Sequence, residues 1–179
     1  MKTYRVQIGD CVRELPVCPI HETLSIAGFV MLGDVELSQA CARELLKICP
    51  EHDLIVTAET KGILLAHEMA RLGCGRYIVA RKGVKAYMQD PVCVPVRSIT
   101  TAEEQKLYLA KADYQQLPGK RVLVVDDVIS TGESLAAMHC LLAQFSAQIV
   151  GSAAVFAEGE AAKRSDILFL QTLPLFPNP

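Results

Sequence analysis

Short apolar runs of strand length alternate with helical segments along this chain, and this alternation limits the possible folds more than any other feature. The strand-like runs are DLIVTA, RYIVA, KRVLVVDD, AQIVGSAAVFA and DILFLQ, which begin at residues 53, 76, 120, 147 and 166. The helical segments between them are GILLAHEMARLG, from residue 62, and ESLAAMHCLLAQF, from residue 133. Strands that are apolar throughout must be buried on both faces. The pattern therefore predicts an α/β fold with a central, mostly parallel sheet flanked by helices.

The N-terminal segment follows a different pattern. Residues 1–33 begin with alternating polar and apolar residues around Gly9 and Asp10, which predicts a hairpin of two short strands turned at that pair. Apolar residues at helical spacing then predict a helix that Asp34 can cap and that Pro50 ends.

The interval 81–120 is rich in charge and has no convincing helix of its own. Pro91 and Pro95 favour an exposed edge or hairpin within it, because proline cannot donate to a sheet ladder. Connections of this length are usually binding loops or lids, so we expect an extended flap at 81–110. With 179 residues, we expect the chain to form a single domain.

Charge and cysteine usage exclude several classes of function. With a formal net charge of −2, the chain lacks the overall positive charge expected of a protein that binds duplex nucleic acid. The seven cysteines include no Cys-x-x-Cys pair, and no histidine cluster completes a zinc pattern. No apolar run reaches the length of a membrane span, and no signal peptide is expected at Met1. We therefore expect a cytoplasmic protein with reduced thiols, no membrane contact and no nucleic-acid partner.

Two adjacent aspartates end the apolar run at 120–127 and are followed at once by a small polar turn. Asp126 and Asp127 would lie at the carboxyl edge of the sheet, where open α/β sheets bind ligands. Their carboxylates suit the vicinal hydroxyls of a sugar. The next helix opens with Ser130, Thr131, Gly132, Glu133 and Ser134. Hydroxyls and unpaired N–H groups there can hold a phosphate, although a polar strand end with an ordinary helix cap is the alternative.

The string VLVVDDVISTGES (122–134) resembles the phosphoribosyl-pyrophosphate signature of the type I phosphoribosyltransferases. Residues 53–73 are similar to the strand, pyrophosphate loop and helix of the purine branch of this family. Residues 77–88 are similar to the strand that leads into its mobile flap. Together these segments cover most of residues 34–156. The resemblance implies the type I phosphoribosyltransferase fold, with residues 1–33 forming a small hood beside the flap.

The resemblance also implies a reaction and its site. A phosphoribosyl group would pass from phosphoribosyl pyrophosphate to a purine base, with adenine favoured, and pyrophosphate would leave. Asp126 and Asp127 would hold the ribose and act in catalysis. The adjoining turn at 130–134, the phosphate turn, would hold the 5-phosphate. The pyrophosphate ligands would be Glu59, Thr60, Lys61, Gly62, Arg81, Lys82 and Lys85. The loop at 59–62 carries a cis non-proline peptide in the family. Mg²⁺ would be bound mainly through substrate and water, with Asp126 as the one protein ligand considered. A homodimer is implied as well.

The base site follows the family pattern less closely. Adenine enzymes of this kind carry a Glu-Tyr pair in the flap. No Glu-Tyr pair aligns with it in the corresponding residues of this chain, 97–109. Glu103 or Glu104 could act as the catalytic acid/base, although flap glutamates are more often simply exposed. The base contacts would come from Phe29, Val30 and Met31, for which ordinary core packing is the alternative.

Other functions compatible with the resemblance are a regulatory module that senses phosphoribosyl pyrophosphate, a xanthine or hypoxanthine-guanine transferase, and a pyrimidine transferase. The segment before the first core strand is expected to be too short for a winged helix, which favours an enzyme over a DNA-binding regulator. The Glu-Thr-Lys-Gly loop favours a purine over orotate or uracil.

Overall fold

The structure, a computed structural model, describes residues 2–96 and 105–178. Its strands are β1 Thr3–Ile8, β2 Cys11–His21, β3 Leu24–Ala27, β4 Leu54–Ala58, β5 Tyr77–Ala80, β6 Val92–Val96, β7 Gln105–Leu109, β8 Arg121–Ile129, β9 Gln148–Glu158, β10 Leu168–Leu173 and β11 Leu175–Pro177. Its helices are α1 Val35–Leu46, α2 Gly62–Leu72, α3 Lys111–Tyr114 and α4 Glu133–Leu142. Within these residues, no helix is both long and apolar enough to cross a membrane.

Five strands form the central sheet in the order β10-β9-β8-β4-β5, and every neighbouring pair is parallel. This confirms the predicted α/β class. The chain passes from β4 outward to β5 and then returns to the other side of β4 to form β8. The carboxyl ends of β4 and β8 therefore flank a topological switch point, where α/β sheets open a crevice for ligands.

Each face of the central sheet has its own apolar core. Helices α1 and α2 cover one face, with Leu45 and Met69 fully buried against it. Helix α4 and the β6–β7 hairpin cover the other, where Leu135, Met138 and Leu107 are buried. Because both α2 and α4 are anchored in this way, their N-termini are fixed at the carboxyl edge of β4 and β8.

The N-terminal hairpin turns at Gly9 and Asp10 as predicted, with Ile8 opposite Cys11. It is part of a larger antiparallel sheet in the order β1-β2-β3-β11, whose last strand comes from the C-terminal end of the chain. Neither β3 nor β11 was predicted. The sheet buries Val6 in the same core as α1, so it packs on the face that carries α1 and α2.

Residues 81–120 contain the antiparallel hairpin β6–β7 and the four-residue helix α3. The hairpin confirms the interpretation of Pro95, which lies opposite Lys106. Arg81 forms an isolated bridge with Tyr108, so the start of this interval is hydrogen-bonded to β7. The assignment of 1–33 as a hood and of 81–110 as a flap stays a prediction.

Candidate active site

The acidic pair lies inside β8 and not at its end. Asp126 pairs with Ala154, and the strand continues until Ile129 pairs with Ala157. The predicted strand end at Asp127 is therefore wrong by two residues, because Val128 and Ile129 are apolar and extend the ladder with β9. Both carboxylates are consequently held on a paired, rigid backbone at the switch point.

Asp127 is the more deeply buried member of the pair, with 4% of its surface exposed. Lys61, at the start of α2, places its Nζ 2.7 Å from Asp127 Oδ2. This buried oxygen has no hydrogen-bond partner among the described residues. The carboxylate is thus compensated by the charge of Lys61, and it keeps acceptor capacity that no described group uses.

Asp126 is half-buried, and its Oδ1 accepts a hydrogen bond of 2.9 Å from the backbone N–H of Asp127. Burial, and then the neighbouring charge of Asp127, raise the pKa of Asp126 to about 7. The Asp127 N–H and the charge of Lys61 oppose this shift. Asp126 therefore holds its proton well above the pH at which an exposed aspartate loses it.

Asp126→Asn is expected to stabilise the ligand-free protein at pH 8. The unfolded chain loses this proton near pH 4 and the folded protein near pH 7, so the wild type loses stability as pH rises through that window. Asparagine keeps the oxygen acceptor and does not titrate. We expect a gain of about 1–2 kcal/mol in the free energy of unfolding at pH 8, less than the full shift implies because Asp126 keeps some contact with solvent, and no gain near pH 4.

Urea unfolding between pH 4 and 8, with a chelator present, measures this difference. The matched control is Asp53→Asn, because hydrogen bonds from Arg121 hold the pKa of Asp53 down to about 2. That change removes an ion that stabilises the fold at neutral pH, so it should destabilise the protein at pH 8. Identical pH slopes in Asp126→Asn and wild type would contradict the expected titration.

The turn after β8 forms the second part of the site. Gly132 has φ +80° and is the N-cap of α4, without a side-chain capping bond. Thr131 Oγ1 accepts a weak hydrogen bond of 3.5 Å from the N–H of Glu133. Ser130, Thr131 and Ser134 are exposed. They line a cavity of about 60 Å³ together with Gly132 and Asp126, so these residues of the turn lie beside one member of the acidic pair.

The turn between β4 and α2 forms the third part. The peptide bond between Glu59 and Thr60 is cis, as the resemblance implied. Gly62 follows Lys61 and begins α2, and a Cβ built on it would collide with Thr57 Oγ1 and lie 3.1 Å from Asp126 Oδ1. Only glycine therefore allows the start of α2 to approach the acidic strand this closely.

Glu59 connects this turn to the residues after β5. Its carboxylate accepts a hydrogen bond of 3.1 Å from Arg81 Nη1 and one of 2.6 Å from the backbone N–H of Lys82. Lys85 Nζ lies 3.8 Å from the same group. Arg81 also donates to the hydroxyl of Tyr87. Three of the predicted pyrophosphate residues, Arg81, Lys82 and Lys85, thus lie around one acidic side chain.

Residues 32–175 match the family described as the phosphoribosyl transferase domain. The chain belongs to this family. The match includes all three parts of the site, from the turn at 59–62 to the turn at 130–134.

Relatives of the phosphoribosyl transferase domain in this chain include both enzymes and a regulator. The chain is 30% identical over 153 residues to the adenine phosphoribosyltransferase of Acidiphilium cryptum, covering 84% of this chain and 86% of that protein. It is 27% identical over 144 residues to a probable purine biosynthesis transcriptional regulator PurR of Streptococcus pneumoniae, covering 76% of this chain. The chain spans about half, 51%, of the length of that regulator.

Solved structures share the phosphoribosyl transferase fold of this chain. The crystal structure of adenine phosphoribosyltransferase from Thermoanaerobacter pseudethanolicus matches with a TM-score of 0.66 at 21% identity, covering 79% of this chain and 84% of that one. The Saccharomyces cerevisiae enzyme, complexed with an imino-altritol bisphosphate and adenine, matches with a TM-score of 0.64 at 18% identity, covering 94% and 93%. At these identities the likeness concerns the fold.

The predicted base contacts of this phosphoribosyl transferase domain are mostly core residues. Phe29 and Met31 are buried, and the Phe29 ring packs edge-on against Phe156 with centroids 4.7 Å apart. Only Val30 is exposed, at 53%. A base contact from this segment would therefore come from Val30 or from the backbone. Glu103 and Glu104 lie outside the described residues, and their role stays a prediction.

Two charged residues near the site were not predicted. Glu158, at the end of β9, is half-buried, and burial raises its pKa while the charge of Lys61 lowers it. Arg164 lies in the connection from β9 to β10, beside Gly132 of the 130–134 turn. A charged residue directly after an apolar run could have identified Glu158. No sequence pattern indicated Arg164, because its position depends on how that connection folds back.

Proposed function

We propose that this protein transfers the phosphoribosyl group of phosphoribosyl pyrophosphate to a purine base, with adenine favoured, and releases pyrophosphate. The observation that carries this proposal is the meeting of a phosphate turn, an acidic pair and a basic turn at the β4–β8 switch point. A sugar with a phosphate on one side and a pyrophosphate on the other needs these three parts in this order. Relatives named as adenine and as hypoxanthine/guanine phosphoribosyltransferases support a purine.

The chain's own groups supply positioning and charge. The ribose hydroxyls donate to Asp126 and Asp127, which the paired strand holds in place. The N–H groups at the start of α4 and the hydroxyls of the 130–134 turn hold the 5-phosphate. With both ends of the sugar fixed, the anomeric carbon is presented to the base, and such positioning can supply several kcal/mol of the rate acceleration.

The leaving pyrophosphate carries the developing negative charge. Lys61 would bind pyrophosphate from the start of α2, and the segment after β5 would contribute Arg81, Lys82 and Lys85. Thr60 and Gly62 would donate backbone N–H groups. The Glu59 carboxylate would repel pyrophosphate directly, so we infer that it acts by orienting the basic residues it binds. In the free protein these charges are balanced by Glu59 and Asp127, and pyrophosphate would compete for them.

Mg²⁺ fits this site as a substrate-bound ion. Among residues 2–96 and 105–178, no cluster of three or more His, Cys, Asp or Glu side chains could hold a metal. Asp126 lines the cavity, and Asp127 Oδ2 has no hydrogen-bond donor. Two carboxylates suit a cation that keeps most of its water and substrate ligands, and Asp126 is the proposed protein ligand. When bound, Mg²⁺ would neutralise charge on pyrophosphate and ribose oxygens.

The acid/base and the base contacts complete the proposal. Glu103 or Glu104 would exchange the proton with the purine, and Val30 with the backbone of Phe29 and Met31 would border it. We further propose a cytoplasmic homodimer that binds neither nucleic acid nor membranes.

A second candidate function is a regulatory module that binds phosphoribosyl pyrophosphate without turning it over. The similarity to the probable transcriptional regulator of Streptococcus pneumoniae favours it. The same three-part site would serve such a module, because it recognises the sugar and its phosphates whether or not a base follows.

Pyrophosphate release in the presence of Mg²⁺, phosphoribosyl pyrophosphate and each purine and pyrimidine base in turn separates these functions. We expect release with a purine, fastest with adenine, and none without a base. Binding of phosphoribosyl pyrophosphate with no release for any base would contradict the enzyme and favour the regulatory module. Fastest release with xanthine, hypoxanthine or guanine would keep the enzyme and change its substrate.

A further inference from the structure

The guanidinium group of Arg164 lies against the phosphate turn. A Cβ built on Gly132 would collide with Nη1 of Arg164. Glycine at this position therefore serves two purposes, since it adopts φ +80° and leaves room for the arginine. Arg164 reaches this place from the end of the short 3₁₀ turn Gly159–Lys163, on the far side of β9.

Asp166 holds the guanidinium in this orientation. Arg164 Nε donates to Asp166 Oδ1 at 2.9 Å, and Nη2 donates to Oδ2 at 2.7 Å. These bonds engage two of the three guanidinium nitrogens. Nη1, the nitrogen beside Gly132, has no acceptor within the described part of the chain. The Arg164 side chain is only one-third exposed, so its position is restricted by packing as well.

The turn itself contains no basic side chain. Residues 130–134 read Ser-Thr-Gly-Glu-Ser, so their only charged member is Glu133, and His139 further along α4 hydrogen-bonds Ser152. The pKa of His139 is lowered by burial and then by the charge of Arg164. A sugar phosphate bound at this turn would carry up to two negative charges. The helix N-terminus offsets only about half a charge, so a cation beside it has a clear electrostatic purpose.

We propose that Arg164, oriented by Asp166, is a further phosphate-binding residue that contacts the 5-phosphate of the sugar substrate through Nη1. This inference rests on the proposed function, because it assigns the phosphate turn to that substrate. Arginine is suited to the role because its planar fork can bind a carboxylate on one edge while a remaining N–H donates to a phosphate. Asp166 is the positioning residue, and Arg164 is the one that touches the ligand.

Calorimetric titration with ribose 5-phosphate tests the proposal without requiring turnover. We expect Arg164→Gln to lower the affinity about 10- to 100-fold, which is the range for one charge-assisted hydrogen bond. Asp166→Asn should lower it less, because the cation remains but loses its support. Lys163→Gln is the matched control, since Lys163 is an exposed neighbour that pairs with Glu160, and it should bind like the wild type.

Pyrophosphate binding, measured on the same proteins, should be unchanged in all three variants. If Arg164→Gln does not fold, Arg164→Lys keeps the charge and is expected to bind more weakly than wild type, by less than the glutamine change. Wild-type affinity for ribose 5-phosphate in the folded arginine variants would overturn the proposal, as would equal losses in Lys163→Gln. Weaker sugar-phosphate binding in a protein that releases no pyrophosphate with any base would uphold Arg164 and contradict the enzyme function.

Discussion

Asp127→Asn is expected to lower kcat/KM for phosphoribosyl transfer by about 100-fold or more, because charge-assisted hydrogen bonds contribute about 1.5–3 kcal/mol each and Asp127 would accept two from the ribose. The carboxylate is buried, and its Oδ2 has a charge partner but no hydrogen-bond donor in the described chain. An amide supplies one acceptor in place of two and cannot balance Lys61. Lys61 is 44% exposed, so water can solvate it in the variant and the protein should still fold.

The measurement combines steady-state kinetics with calorimetric binding of phosphoribosyl pyrophosphate, and both should weaken. Asp10→Asn is the matched control, since Asp10 is exposed in the turn of the N-terminal hairpin, away from the β4–β8 crevice. Sugar binding that is unchanged in Asp127→Asn would contradict the assignment of the acidic pair to the ribose.

Gly62→Ala is expected to lower the free energy of unfolding by about 1–3 kcal/mol and to abolish most of the transfer activity, because overpacking of a tight site forces its neighbours to move. The added Cβ would collide with Thr57 Oγ1, and Thr57 is fully buried in β4. It would also lie 3.1 Å from Asp126 Oδ1. Helix α2 would have to shift away from β8, which would carry Lys61 away from Asp127.

Urea unfolding and kinetics on the same preparation test both effects. Gly83→Ala is the matched control for stability, because a Cβ at Gly83 meets nothing within 4 Å and its φ does not require glycine. If Gly62→Ala retained full stability and activity, the close approach of α2 to the acidic strand would not be needed for either.

Most strands and helices of the central sheet could be predicted because they depend on local pattern, whereas β3 and β11 were not predicted. The runs at 53–58 and 76–80 became β4 and β5, and the helix after Asp34 is capped by that side chain, which accepts from the N–H of Leu37. Boundaries were less certain. The extension of β8 to Ile129 depends on pairing with Ala157, which is distant in sequence.

The turn at 130–134, the acidic pair and the turn at 59–62 were predicted as separate motifs, and the family resemblance together with their residue types implied the ligand. Their meeting could be expected only because parallel strands share a carboxyl edge. The electrostatic connections were not predictable. Glu59 binds Arg81 across 22 positions, and Lys61 binds Asp127 across the crevice.

The sequence by itself determined the α/β class and the order of strands and helices in the central sheet, because these follow from hydrophobic spacing, and it supplied the residue types of the acidic pair and of the two turns. The tertiary structure alone decided which charges compensate one another, how β11 completes the N-terminal sheet, and that Arg164 reaches Gly132. The physical reason is that the spacing of apolar residues sets the structure of a short segment only. A salt bridge or an added strand depends instead on where segments that are distant in sequence pack.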